Sequence, residues 1–404
     1  MTIDFTPDKR TADMREAIRN MAETVIRPQS LMWEREHGVP EDFLRNFALL
    51  ATNMGSSAMR SGFGEDKKGA SKDKIGGNLG SAIASEEIAW GDAALLLCLP
   101  GPGLGGPPVR STGTEEQKKR FFDVFSDPMQ IKWGAYGLTE PGAGSDVAGI
   151  RTSCRKDGKH WVLNGRKCYI TNGARAAWTV IFATIDPALG RAGHRAFVVE
   201  KGMPGFNVGR IEDKMGLRAS ETAELVLEDC RVPEENLLGG EEKYASKEGF
   251  MAAMKTFDNT RPLVAAMALG IGQAACDYAR DFLKEHYVLA RPIARYAQMA
   301  ERLARVSRDL SSARMLTWRA SWMGDHGIAN AKEASMCKAA AGGAAIRACI
   351  EAIELCGAEG SIRADNTLLE KWFRDIKVYD IFEGTGQIQR VVIAKRLFPD
   401  IKAF

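Results

Sequence analysis

Three stretches of this chain combine residue types that can do chemistry. Residues Tyr136-Gly137-Leu138-Thr139-Glu140-Pro141-Gly142-Ala143-Gly144-Ser145-Asp146 are too rich in glycine for regular structure. Backbone N–H groups in such a loop can approach a flat or anionic ligand without interference from a Cβ. The same composition also suits a tight connection between two folded units. Glu383 lies in Tyr379-Asp380-Ile381-Phe382-Glu383-Gly384-Thr385-Gly386. A carboxylate there is either a solvated helix end or, inside an apolar pocket, a general base of raised pKa, and spacing leaves both open. Arg261 follows Asp258 and interrupts an apolar face of Val264, Ala265 and Ala268. It is either a salt-bridged helix-edge arginine or a charge held beside an anionic or thioester-bearing ligand.

Two further patterns point away from other chemistries. Gly270-Ile271-Gly272-Gln273-Ala274-Ala275 mimics a dinucleotide fingerprint, but that motif needs a strand before it and a helix starting at it. Here it falls inside a long helical pattern, where small residues permit close helix packing. The eight cysteines form no C-x-x-C pair and no histidine stands at ligand spacing, so no metal site is expected and buried, reduced thiols are.

The elements that must position these residues follow from periodicity. Thr6-Pro7 is a plausible helix start, and Met14, Ile18, Met21 and Val25 recur down one helical face. A second helical stretch, Ser81 to Trp90, carries Glu86 and Glu87, and the Gly- and Pro-rich segment Leu99 to Pro108 reads as a loop. From about Trp133 the pattern becomes that of strands: His160 to Leu163, a turn at Asn164-Gly165, Lys167 to Thr171, then Trp178 to Ile185, Arg195 to Glu200 and Glu221 to Leu227. After Gly249 the helical period returns and runs to about Glu285. Residues 296–323, 328–356, 367–379 and 387–397 read as further helices. The expected class is an α+β multidomain chain, with a helical unit at 1–130, a β-barrel or sandwich unit at 131–243 and a helical bundle at 244–404.

Composition agrees with such a protein. A chain of 404 residues exceeds what one core usually serves. Apolar residues are 45% and charged residues 26%, and the net charge of +3 is spread without basic blocks, which argues against nucleic-acid partners. No apolar stretch reaches the roughly 20 residues that span a bilayer. Met1 to Arg10 carries Asp4 and Asp8 and no apolar core for export, so a cytoplasmic location is expected.

Six co-linear segments then carry a resemblance. The Leu138 to Gly149 loop, Tyr169-Ile170-Thr171-Asn172-Gly173, Lys214-Met215-Gly216, Val232-Pro233-Glu234-Glu235-Asn236, Phe257-Asp258-Asn259-Thr260-Arg261-Pro262 and Phe382-Glu383-Gly384-Thr385 closely resemble the acyl-CoA dehydrogenase family, in order and spacing. The resemblance implies an N-terminal helical domain, a middle β domain and a C-terminal four-helix bundle holding FAD. By position, Tyr136, Leu138, Thr139, Gly144, Ser145, Tyr169, Thr171, Thr385 and Gln387 are implied to contact the flavin. Ser145, Asp258, Arg261 and Gly384 are implied to face an acyl-CoA. Glu383 is implied to be the base that removes the α-proton, with the β-hydride passing to flavin N5 and an electron-transfer flavoprotein reoxidising the cofactor. Some branches of the family place their base where this chain has Thr260, which cannot serve.

The chain departs from the family pattern at two places. The usual Arg-x-x-Phe-Gly reads His286-Tyr287-Val288-Leu289-Ala290, and the usual Gln-x-x-Gly-Gly reads Glu354-Leu355-Cys356-Gly357-Ala358. Both changes fall on the contact expected to a neighbouring subunit's cofactor. They leave either a homotetramer in which Arg291 or Arg295 substitutes, or a heterotetramer, each a dimer of dimers. An oxidase or monooxygenase of the same fold, and a partner subunit of a heteromeric dehydrogenase, are the alternative functions. The intact Glu-Gly-Thr motif argues against oxygen-using enzymes that lack the base and against the partner-subunit reading, and leaves open an oxidase that keeps the Glu. The small residues of Leu99 to Pro108 either leave a wide cavity for a branched, cyclic or steroid-derived acyl group or form a plain connector.

Overall fold

The computed structural model describes residues 9–53, 77–127, 129–245, 257–287, 293–363 and 368–400; Thr6-Pro7 lies outside them. Helix α1 (Lys9–Met21) buries Ile18, as its apolar stripe predicts. The stripe does not continue to Val25, which is 41% exposed, while Ile26 is fully buried. The reason is a π-helical turn at Ala22–Ile26, whose i→i+5 bonds move the inward position one residue along. Helices α2 (Ser30–Arg35), α3 (Glu41–Asn53) and α4 (Gly77–Gly91) follow.

The segment read as a loop is more regular than expected. Short helix α5 (Leu95–Cys98) leads to a 3-10 turn at Gly103–Gly105 and then to α6 (Gly106–Thr112). Pro107 and Pro108 sit in the first turn of α6, where a missing N–H costs no helical hydrogen bond. Helix α7 (Glu115–Asp123) closes the unit with a capping box between Thr114 and Gln117.

Seven strands form one curled sheet: β1 (Gly134–Gly137), β2 (Ser153–Asp157), β3 (His160–Thr171), β4 (Trp178–Thr184), β5 (His194–Glu200), β6 (Phe206–Ile211) and β7 (Thr222–Pro233). Their order is β1-β4-β2-β3-β7-β6, with β5 also on β4. The hairpin expected at Asn164-Gly165 is not there. The reversal comes earlier, at Gly158-Lys159 between Asp157 and His160, and β3 runs straight through Asn164. Asn164 instead exchanges two hydrogen bonds with Asp229, at 3.0 and 2.8 Å, across an irregularity in the β3–β7 pairing. Gly165 takes φ +151 there, with Thr152 too close for a Cβ. Strand β6 escaped the sequence pattern because it is a mostly exposed edge strand with little apolar alternation.

Both faces of β4 and β5 are buried. Ile181 and Val199 enter one core with Leu163 and Leu225, while Val180, Phe182 and Val198 enter another with Val109 and Phe121 of α6 and α7.

After a short α8 (Gly240–Ala245), the bundle is built from α9 (Phe257–Tyr287), α10 (Ile293–Asp325), α11 (Ala331–Cys356), α12 (Ala358–Ser361), α13 (Leu369–Tyr379) and α14 (Gly386–Leu397). The glycines of the false fingerprint let α9 pack closely. A Cβ at Gly270 would strike the Glu86 carbonyl oxygen of α4, and one at Gly272 would come within 3.0 Å of Ala345 on α11. A single hydrophobic core runs from Ile18 and Trp33 through Ile88 and Leu269 to Trp372 and Tyr379, so the N-terminal helices and the bundle are packed as one body.

Buried charges fasten the same junctions. Glu87 receives Arg15 at 2.6 Å and Arg19, and Glu86 receives Arg314 of α10 at 2.6 Å. Lys371 of α13, 1% exposed, bridges Asp92 at 3.0 Å and Asp375 at 2.6 Å. Asp375 in turn accepts the Leu217 N–H of the β unit at 2.6 Å, and Asp92 caps α5 through Ala94 and Leu95. All eight cysteines are buried free thiols. Among the described residues no helix is long and apolar enough to cross a membrane.

Candidate active site

A cavity of about 350 Å³ lies where α4, α5 and the turn after it meet β1, the glycine-rich loop, β3, α9 and the turn between α13 and α14. Its lining includes Tyr136, Leu138, Thr139, Gly144, Ser145, Tyr169 and Thr171 on the sheet side and Arg261, Glu383 and Gly384 on the bundle side. The three stretches singled out in the sequence therefore converge on one space, although up to about 240 residues separate them.

The glycine-rich loop is held open by an internal brace. Lys167 on β3, wholly buried, donates to Glu140 Oε1 at 2.6 Å and to the Leu138 carbonyl at 3.2 Å. Glu140 also accepts the N–H groups of Arg151 at 2.6 Å and Thr152 at 2.9 Å. One carboxylate thus ties both ends of the loop to β3. Burial pushes Lys167 down to about 8, and the adjoining ammonium holds Glu140 below its usual range. At the far end of β3 a bulge puts Tyr169 at φ +59 and turns it out of the ladder towards the cavity. Asn172, also left-handed, donates to the Leu97 carbonyl at 3.0 Å and so joins β3 to the α5 wall.

Glu383 follows α13 in a turn where its own φ is +54 and that of Gly384 is +96. Its Oε2 accepts a hydrogen bond from Thr260 Oγ1 of α9 at 2.7 Å. Burial raises its pKa from the usual carboxylate range to about 7, against the opposing pull of Thr260 and of the Arg261 and Lys338 cations. A carboxylate poised near neutrality and facing a cavity can accept a proton from a bound molecule. The turn's carbonyls are themselves held. Gln389 Nε2 donates to Glu383 O at 3.2 Å and Gly384 O at 3.0 Å, and Lys338 Nζ donates to Gly384 O at 2.8 Å.

Two of the expected flavin contacts, Thr385 and Gln387, are not in the lining. Thr385 caps α14 by accepting the Ile388 N–H, and Gln387 is exposed on that helix. Asp258 lies in the first turn of α9, but its side chain is outside the described residues, as are Arg291 and the side chain of Arg295. Leu99, Pro100, Gly103 and Leu104 form a wall of the cavity with Leu96, Leu97 and Met267. Sequence reasoning missed Arg191, an exposed cation at the cavity, together with Lys167, Lys338 and Gln389. A lone lysine within the Ala- and Gly-rich face of α11 was the only visible signal for Lys338.

A flat ring system with polar edges fits this space. The volume falls in the range of preformed cofactor sites, the walls are largely aliphatic, and Thr139, Ser145 and Thr171 bring hydroxyls to the sheet side. A Cβ at Gly144 would meet no atom within 4 Å, so the loop leaves that side open to a ligand. At the two departures from the family pattern, His286 is exposed and stacks on Phe282 at 4.1 Å, while Glu354 is paired with Arg302.

Comparison with known proteins agrees along the whole chain. Family models for the acyl-CoA dehydrogenase N-terminal, middle and C-terminal domains match residues 8–125, 135–230 and 247–398. The short-chain specific acyl-CoA dehydrogenase of Rattus norvegicus mitochondria is 36% identical over 385 residues, which cover 95% of this chain and 89% of that protein. Butyryl-CoA dehydrogenase from Megasphaera elsdenii superposes with a TM-score of 0.84 at 32% identity, covering 98% of this chain and all of that one. A glutaryl-CoA dehydrogenase from Mycobacterium smegmatis in complex with FADH2 gives 0.82 at 25% identity, over 98% and 97% of the two chains.

Proposed function

Because this chain belongs to the acyl-CoA dehydrogenase family, we propose that it desaturates a short acyl-CoA between its α and β carbons, with Glu383 as the base. It is an acyl-CoA dehydrogenase and its cofactor is FAD. Bound FAD supplies a two-electron acceptor for the β-hydride. The remaining work falls to the protein's own residues.

The observation that carries the reading is a desolvated carboxylate at about 7 facing a cavity that three distant stretches build. Glu383 takes the α-proton, and its backbone N–H is the donor offered to the thioester oxygen, where charge develops. Tyr136, Leu138, Thr139, Gly144, Ser145, Tyr169 and Thr171 hold the flavin, with Thr385 and Gln387 of the opening turn of α14 assigned to its edge. Ser145, Asp258, Arg261 and Gly384 contact the acyl-CoA. Arg191 at the mouth offers a cation to the phosphates of the CoA handle.

A space of about 350 Å³ that must take both a flavin ring and a thioester favours a short acyl group. The names of the short-chain and butyryl-CoA relatives support the same choice. Residues 1–130, 131–243 and 244–404 act as the three units, in a homotetramer or heterotetramer reoxidised by an electron-transfer flavoprotein. Purified protein tests the reading directly. A yellow spectrum bleached anaerobically by a short acyl-CoA supports it, and a yellow protein that no straight, branched or cyclic acyl-CoA bleaches overturns it.

A further inference from the structure

We infer that Lys338 is a positioning residue for this reaction: it locks the Glu383–Gly384 turn through the Gly384 carbonyl and supplies positive charge beside the carboxylate. The inference rests on the reading of Glu383 as the base. Lys338 is the eighth residue of α11 and is 1% exposed, so its ammonium has been taken out of water. Such a burial is costly unless the charge is used. Its hydrogen bond goes to a main-chain oxygen, Gly384 O, at 2.8 Å.

That carbonyl belongs to a turn closed at its ends by one backbone hydrogen bond, from the Gly386 N–H to the Asp380 carbonyl at 3.0 Å. Glu383 is a non-glycine residue in the left-handed region, and Gly384 beside it is left-handed too. The Gln389 amide, on α14 and fully buried, shares Gly384 O with Lys338 and also reaches Glu383 O. Two buried donors from two helices thus converge on two successive carbonyls, and the first of these belongs to the residue whose carboxylate lines the cavity. The small face of α11 makes this approach possible: Gly342, one turn beyond Lys338, lies against Asp380, where a Cβ would sit 3.1 Å from Oδ1.

The charges around the pair come from every element packed there. Lys338 faces Asp380 and Glu383 on the turn, Arg261 on α9 and Lys377 on α13. Glu383 faces Thr260 and Arg261 on α9, Lys338 on α11, and Tyr136 on β1. Arg261 and Lys338 are the cations that act on Glu383, one from each side of the turn. Burial has already driven the ammonium down to about 8, which places its charge within reach of ordinary assay pH.

The experiment uses FAD-loaded protein and the acyl-CoA that bleaches it best. Lys338→Met, Lys338→Arg, Gln389→Leu and Glu383→Gln are compared by anaerobic flavin reduction across pH, with KM and kcat measured separately. Lys338→Met is expected to lower kcat at pH 7 by about tenfold or more with little change in KM, and to move the acid limb of the profile up by about one pH unit. Lys338→Arg restores the limb and only part of the rate. Gln389→Leu lowers the rate and leaves the limb in place. Lys338→Met protein that holds FAD and keeps the parental rate and limb overturns the inference. If Lys338→Met does not fold, parental rates in both Lys338→Arg and Gln389→Leu overturn it instead. Full turnover by Glu383→Gln removes the base reading itself, whereas an inert Glu383→Gln beside an unaffected Lys338→Met removes only the role of Lys338.

Discussion

Thr260 Oγ1 donates a 2.7 Å hydrogen bond to Glu383 Oε2 across 123 residues of chain. The position on the long helix where some branches of the family keep a base here holds a donor to Glu383, the proposed base. A donor favours the ionised carboxylate, so the value of about 7 already includes its downward pull.

The sign of the pH dependence follows. As the proposed base, Glu383 would act in its deprotonated form, so flavin reduction by the acyl-CoA should rise with pH and be half-maximal near 7. Below that it should fall tenfold per unit. Thr260→Val removes the donor, keeps the shape, and should move this limb to higher pH. A limb that stays in place in Thr260→Val, read by stopped-flow bleaching, would show that the hydroxyl does not tune the base.

Glu383→Gln keeps the side chain's size and removes its proton affinity. General-base catalysis contributes about 10²–10⁴-fold, and the loss in reduction rate should lie in that range while acyl-CoA still binds. Perturbation of the flavin spectrum on binding checks the second half of the statement.

Arg191 is exposed at the cavity, so the role proposed for it is attraction and not chemistry. Arg191→Ala should raise KM for acyl-CoA by about two- to fivefold at low salt, with kcat unchanged, and the difference should shrink as salt is added. Equal KM values at low ionic strength would take the phosphate contact away from this residue.

Lys371→Met tests how the three parts of the chain are held together. The substitution leaves Asp92 and Asp375 buried side by side without their cation. Breaking a buried pair in this way costs about 3–5 kcal/mol. Denaturant unfolding of the holoenzyme should show a loss of that size, whereas Lys156→Met, in an exposed pair with Glu241, should leave the unfolding midpoint close to the parental one.

Much of the fold could be read directly from the sequence. Helical periodicity located α9, α10, α11, α13 and α14, because amphipathic helices write their buried face into the spacing of apolar residues. The strands β4 and β5 announced themselves through β-branched runs, since both their faces are buried. Errors came where local and tertiary forces compete. Asn164-Gly165 is a strong turn signal, yet β7 pairs with both sides of it and the chain runs on as a bulged strand. Val25 fell out of the core because a π turn shifted the helical register. Leu99 to Pro108 gained two helical turns that a count of glycines and prolines does not foresee.

The chemistry divides in the same way. Residue types and order alone marked Glu383, Arg261 and the glycine-rich loop as places where a reaction could occur, each beside an ordinary structural use that spacing left open. Whether Glu383 was a solvated helix end or a poised base depended on its surroundings, since the energy of a charge is set by the dielectric and partners around it. Those surroundings come from Thr260, Lys338 and the α4 and α5 wall, all distant in sequence. Local spacing carries no record of them, and only the packing of the three parts brings them to one place.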